Sequence, residues 1–137
     1  MPKGPKQRLK GCRVLIIEDE YLLADDLERV LRDDGAEVIG PVGRRSEAMR
    51  LIDCDGFDIA IIDLNLRDES AYPLAEELER QGIPFIFATG YASAMIPERY
   101  SHILRWEKPY ELDGIVEGIA PFCDGAMKKH AQTGRPT

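Results

Sequence analysis

The sequence predicts a doubly wound α/β domain, a parallel sheet of five strands with helices on both faces and an abbreviated fourth helix. Three observations predict it. The unbroken apolar runs Val14-Leu15-Ile16-Ile17, Ile59-Ala60-Ile61-Ile62 and Phe85-Ile86-Phe87-Ala88 are short and rich in β-branched and aromatic residues. Such runs read as strands buried on both faces, the mark of a parallel sheet. Amphipathic helical periodicity fills the stretches between them. The two patterns alternate five times, which suits a chain of right-handed β-α crossovers.

After the first strand, Leu23, Leu27, Val30 and Leu31 share one helical face, and Gly35 is placed to end that helix. Val38-Ile39 marks a weaker second strand, and Ser46 is placed to cap a helix carrying Ala48, Met49 and Ile52. Pro73 suits the first turn of a third helix with Leu74, Ala75 and Leu78 inward and Gly82 closing it. The segment from Ser93 to Tyr100 is short and contains Pro97, so its helix is abbreviated. Ile103-Leu104 marks the fifth strand, with His102 as a strand histidine, and Leu112, Ile115, Val116 and Ile119 form the last helical stripe. Residues 1–10 read as a flexible leader, 11–122 as the domain and 123–137 as a polar, frayed tail.

Composition narrows the function. The 137 residues are about one domain long, with 44% hydrophobic and 31% charged residues, as in an ordinary globular protein. A net charge of −7 repels phosphate backbones, which argues against nucleic acid as a partner. No apolar run reaches membrane-spanning length and no signal-peptide core is present, so neither membrane insertion nor export is expected. Cys12, Cys54 and Cys123 are odd in number and have no metal-ligand spacing, so reduced, structural cysteines and a cytoplasmic location are expected.

In an open parallel sheet, ligands bind outside the carboxyl ends of the strands. Here those ends carry Glu18-Asp19, Asp63, Thr89-Gly90 and Lys108-Pro109. Carboxylates packed together repel, and a hard divalent cation relieves them; Mg²⁺ suits a site with few carboxylates and a phosphate oxygen. With the metal in place a carboxylate can attack a phosphoryl donor, while Lys108 adds positive charge and Thr89 a hydrogen bond. Each residue alone has a plainer reading: Asp63 as a turn former, Glu18 and Asp19 as favourable charge at a helix start, Thr89-Gly90 as a turn, Lys108 as a surface lysine.

The motifs VLIIEDE, FDIAIIDLNL, PFIFATGY and EKPY stand in this order at successive strand ends. Across about residues 11 to 122 the sequence resembles bacterial two-component response regulator receiver domains, and its FATGY string resembles a stand-alone type. The resemblance implies a flavodoxin-like sheet of strand order 2-1-3-4-5. It implies phosphorylation of Asp63, with Glu18, Asp19, Asp63 and the backbone carbonyl of Asn65 around Mg²⁺, and Thr89 and Lys108 at the phosphoryl group. A Lys108–Pro109 peptide that is often cis comes from the family alone. Implied partners are a histidine kinase or a histidine phosphotransfer protein, and a downstream protein whose identity the sequence does not give.

Two departures fall on the surface that carries the signal. The aromatic usual three residues before the lysine is Arg105 here, with Trp106 beside it, and the stretch from Thr89 to Lys108 is short for a full helix. Tyr91, in the FATGY string, is the expected substitute in readout. The expected function is a single-domain phosphorelay switch, or a phosphate sink or shuttle. The alternatives are a metal-dependent phosphatase or phosphotransferase with an aspartyl-phosphate intermediate, and a scaffold that works without phosphorylation. Asn65 stands where haloacid-dehalogenase-like enzymes carry a second aspartate.

Overall fold

Five parallel strands form one sheet in the order β2-β1-β3-β4-β5. They are β1 (Arg13–Ile17), β2 (Glu37–Val42), β3 (Ile59–Asp63), β4 (Phe85–Thr89) and β5 (Arg105–Glu107). The helices are α1 (Tyr21–Asp33), α2 (Arg45–Cys54), α3 (Tyr72–Gln81) and α4 (Leu112–Ala131), and a 3-10 helix, Glu98–Tyr100, precedes β5. The computed structural model describes residues 7–54, 56–66, 69–90, 96–108 and 110–131, with only the backbone of Cys54 and of 124–131.

β3 and β4 are buried at every position, as continuous apolar strands in the middle of a parallel sheet must be. Period-two alternation divides the core. Val14, Ile16, Ile59 and Ile61 meet Leu27 and Leu31 of α1 and Ile115, Val116 and Ile119 of α4 on one face. Leu15, Ile17, Ala60, Ile62, Phe85 and Phe87 meet α2 and α3 on the other. The doubly wound topology stands as the alternation predicts.

Two local features arise from residue chemistry. Pro73 sits in the first turn of α3, and Gly82 ends it in the left-handed conformation at φ 74°. Gly40 has φ +88°, and a Cβ there would lie 3.0 Å from Ile16 O, so the register shift between β1 and β2 needs a glycine.

Other expectations change. The fifth strand forms at Arg105–Glu107, beyond the apolar pair Ile103-Leu104. Backbone pairing decides this: Arg105, Trp106 and Glu107 align with Phe87, Ala88 and Thr89 of β4, and an edge strand tolerates charged side chains. His102 lies in the preceding turn and is exposed. Ser46 is inside α2 and does not cap it; the Arg45 N–H at the helix start donates instead to Glu69 Oε1 at 2.8 Å. Arg45 Nη1 also donates to Ser70 O at 3.0 Å, which ties the start of α2 to the loop before α3.

Residues 8 and 9 of the expected leader and the backbone of 124–131 of the expected tail take part in described structure. Leu9 is fully buried in the α1–α4 side of the core, and Arg8 holds the buried Asp34 through Nε at 3.0 Å and Nη2 at 2.9 Å. At the other end α4 continues past Pro121 to Ala131. Cys12, just before β1, and Cys123 in α4 are joined by a disulfide with Cα atoms 5.1 Å apart. This corrects the expectation of reduced cysteines: spacing along the chain is silent about two residues that the fold brings together across a sequence separation of 111.

Candidate functional site

The loops leaving the carboxyl ends of β1, β3 and β5 gather the charged residues named from sequence. Glu18 follows β1, Asp63 closes β3 and Lys108 follows β5. Glu18 and Asp63 are 4% and 1% exposed, a depth at which carboxylates occur only when paired, bonded or metal-bound. Glu18, Asp19 and Asp63 each offer one oxygen, and the three atoms lie within 4.8 Å of one another. Asp19 is wedged against Gly43, where a Cβ would lie 3.1 Å from the Asp19 Cβ.

Lys108 Nζ is shared among three acceptors, Glu18 Oε2 at 3.1 Å, Glu20 Oε1 at 3.1 Å and Asp63 Oδ2 at 3.3 Å. Two backbone donors hold the carboxylates in register: the Glu20 N–H donates to Glu18 Oε2 at 3.0 Å, and the Asn65 N–H to Asp63 Oδ1 at 2.8 Å. Burial pushes the Glu18 carboxyl above the ordinary range, and its hydrogen bond and repulsion with Asp63 add to the rise. Burial alone would lower the Lys108 ammonium, but Asp63 and then Glu18 outweigh it and push it up, so it stays charged.

The donor set fits a hard cation: three carboxylate oxygens in a small cage with no sulfur or imidazole, and a single ammonium set against three carboxylates, which leaves the ionised cage two negative charges in excess. Thr89 ends β4 and is 2% exposed; its carbonyl accepts the Lys108 N–H at 2.7 Å, which sets the start of the Lys108 loop. Glu18, Asp19, Asp63, Asn65, Thr89 and Lys108 therefore share one rim of the sheet. Arg105 and Trp106 lie in β5, away from it. Trp106 packs toward α4, where a Cβ on Gly118 would overlap its ring. Tyr91 and Pro109, and with Pro109 the expected cis bond, lie outside the described residues.

Two residues here escape the sequence reading. Glu20, the third acid of EDE, holds Lys108, and the run of three acids is its signal. Tyr110 carries no sequence signal, and its hydroxyl is buried with no partner among the described residues. Burial first, and then the Glu18 charge, push its ionisation up. A cleft of about 790 Å³ opens beside Asp19 and is lined by Tyr21, Asp25, Glu28, Arg44 and Glu47 among others. Tyr21 and its neighbour Leu22 are 83% and 77% exposed.

Known proteins resemble this chain. Residues 14–103 match the family model described as the response regulator receiver domain. The chain is 33% identical over 111 residues to the transcriptional regulatory protein PdtaR of Mycobacterium tuberculosis, covering 78% of this chain and 54% of that protein. It is 34% identical over 128 residues to the phyllosphere-induced regulator PhyR of Methylorubrum extorquens, covering 88% of this chain and 48% of that one. The chain thus spans about half the length of these curated relatives. The solution structure of SdrG from Sphingomonas melonis superposes with a TM-score of 0.72 at 34% identity, covering 84% of this chain and 97% of that chain. The strand order, the strand-end acids and these likenesses agree: the chain belongs to the response regulator receiver domain family.

Proposed function

We propose that this chain is a phosphoryl-accepting switch in which Asp63 takes the phosphoryl group from a phosphohistidine on a kinase or phosphotransfer protein in the cytoplasm. The observation that carries the reading is the Asp63 carboxylate, 1% exposed, with Glu18 and Asp19 oxygens within 4.8 Å and Lys108 Nζ at 3.3 Å. An Asp63 oxygen forms the new P–O bond as the donor's P–N bond breaks and the imidazole leaves. Mg²⁺, held by Glu18, Asp19, Asp63 and the Asn65 carbonyl, would offset the repulsion between carboxylate and phosphoryl group.

The other residues have separable tasks. The Asn65 N–H fixes the Asp63 carboxylate for attack. Lys108 follows the negative charge, and the new phosphoryl oxygens compete with Glu18 and Glu20 for its ammonium. Thr89 donates its hydroxyl to the phosphoryl group. The acidic cleft beside Asp19, lined in part by the exposed Tyr21, suits a donor that presents basic and apolar side chains around its histidine. The downstream partner then reads the face around β5, including Arg105 and Trp106, and Tyr91 takes part in the readout. No helix among the described residues is long and apolar enough to cross a membrane. The Cys12–Cys123 bridge removes cysteine chemistry as support for the cytoplasm, which rests on the phosphohistidine donor alone.

Acetyl phosphate and Mg²⁺, followed by intact-mass measurement, test the chemistry. Wild type is expected to gain one phosphoryl group and Asp63→Asn none. A wild type of unchanged mass would refute the reading, and fast steady turnover of a small aryl phosphate would mark a phosphatase instead.

A further inference from the structure

Lys108 and a cation compete for the same oxygens. The Lys108 ammonium lies 3.1 Å from Glu18 Oε2 and 3.3 Å from Asp63 Oδ2, and both carboxylates belong, with Asp19, to the cage suited to a divalent ion. An ammonium seated on those carboxylates is itself a resident cation, and its charge repels a second one. For the cage to load, Lys108 needs another place for its charge. Its side chain is 17% exposed, so water alone is a poor substitute.

Glu20 supplies that place. Its Oε1 accepts from Lys108 Nζ at 3.1 Å, as close as Glu18, yet it lies outside the cage of Glu18, Asp19 and Asp63, with its side chain 63% exposed. The helix it starts makes no use of the carboxylate. Glu20 is the N-cap of α1, a position that favours a short Ser, Thr, Asp or Asn bonded to the first-turn N–H groups, and here no side-chain cap bond forms. Its backbone N–H donates to Glu18 Oε2 at 3.0 Å. One residue thus fastens a cage carboxylate through its backbone and offers the ammonium an acceptor outside the cage through its side chain.

We propose that Glu20 is a positioning residue for Lys108: its carboxylate draws the ammonium off Glu18 and Asp63 when the cage takes up a divalent cation, and yields it to the phosphoryl oxygens once Asp63 is phosphorylated. This rests on the phosphoryl-acceptor reading above. Removing the Glu20 charge then acts in opposite directions on the two events. Lys108 keeps its hold on the cage against the cation, and the phosphoryl oxygens face one competitor fewer for the ammonium.

Calorimetry on the intact chain tests it, with MgCl₂ alone and then with beryllofluoride, a non-covalent mimic of a phosphoryl group, at saturating Mg²⁺. Glu20→Gln keeps the backbone N–H and the side-chain size and loses the charge. It is expected to bind Mg²⁺ about fivefold more weakly than wild type or worse, and beryllofluoride about twofold more tightly or better. In Lys108→Gln no ammonium has to leave the cage. In that background Glu20→Gln is expected to weaken Mg²⁺ binding by about twofold or less at about 0.15 M salt, where screening trims the direct attraction of Glu20 for the ion. Equal losses in the two backgrounds would make Glu20 a plain surface charge and overturn the proposal. Weaker binding of both Mg²⁺ and beryllofluoride would mark a damaged site and overturn it too, as would a Glu20→Gln that binds Mg²⁺ like wild type. If Lys108→Gln does not fold, the opposite signs in Glu20→Gln decide alone. A wild type that takes up no Mg²⁺ would remove the phosphoryl-acceptor reading itself, and this proposal with it.

Discussion

Replacing Glu18 with glutamine separates a structural salt bridge from a cation site. One Glu18 oxygen lies within 4.8 Å of an oxygen on each of Asp19 and Asp63, and Lys108 Nζ lies 3.1 Å from Oε2. At an effective dielectric near 20, each repulsion at that separation costs about 3.5 kcal/mol, and the one attraction returns about 5 kcal/mol. The Glu18 charge is therefore unfavourable by about 2 kcal/mol before the cost of burying it. Glutamine keeps an oxygen for the Glu20 N–H that donates at 3.0 Å, so little else is lost. In a metal chelator at about pH 8, Glu18→Gln is expected to raise the melting temperature by roughly 5 °C or more. Burial, then Asp63, raises the folded-state pKa of Glu18, so the stability of its neutral form is fully present below the unfolded carboxylate range and is lost as pH rises through the folded value. The gap between variant and wild type therefore closes as pH falls toward about 4. Millimolar Mg²⁺ reverses the order, because wild type gains binding energy that the variant lacks. A variant that melts below wild type in chelator at about pH 8 would refute the reasoning, since Lys108 alone would then satisfy the site.

Three further outcomes rest on the packing. Gly118→Ala sets a methyl into the Trp106 ring, and the strain is expected to outweigh the gain in helix propensity by about 1 kcal/mol or more; a shift in the emission of the single tryptophan checks it. Leu9→Ala is expected to cost about 2–5 kcal/mol in a denaturant titration, whereas a flexible leader would leave stability unchanged. Protein unfolded without reductant is expected to alkylate at Cys54 alone, and reduction of the Cys12–Cys123 bridge to cost about 4 kcal/mol through the long loop it closes; three labelled cysteines would exclude the bridge.

The parts of the fold legible in the sequence are those whose burial is carried by consecutive residues. Ile59 to Ile62 and Phe85 to Ala88 are strands because each side chain meets a packed face, and Asp63 and Thr89 are legible because each is the first polar residue after such a run. β5 begins directly after the apolar pair because its partner is chosen by hydrogen bonding to β4, and Arg105-Trp106-Glu107 has no apolar run to announce it. Arg8, Leu9 and the Cys12–Cys123 pair are illegible for a related reason. Their partners, Asp34, the α1–α4 core and one another, are distant in sequence, and no local periodicity encodes a contact across the sheet. Glu69 as the carboxylate at the start of α2 is the same case.

The site holds a deficit that the resting structure does not cancel. Glu18, Asp19 and Asp63 crowd their oxygens within 4.8 Å, and Lys108 is shared among Glu18, Glu20 and Asp63. A cation held in this cage would relieve that deficit. In the proposed switch, phosphorylation would redirect Lys108, whose three contacts include Glu20 at the start of α1, so the charge change would reach a helix end as well as Asp63. Glu18→Gln is then expected to raise resting stability and to weaken the response to a phosphoryl mimic in Mg²⁺.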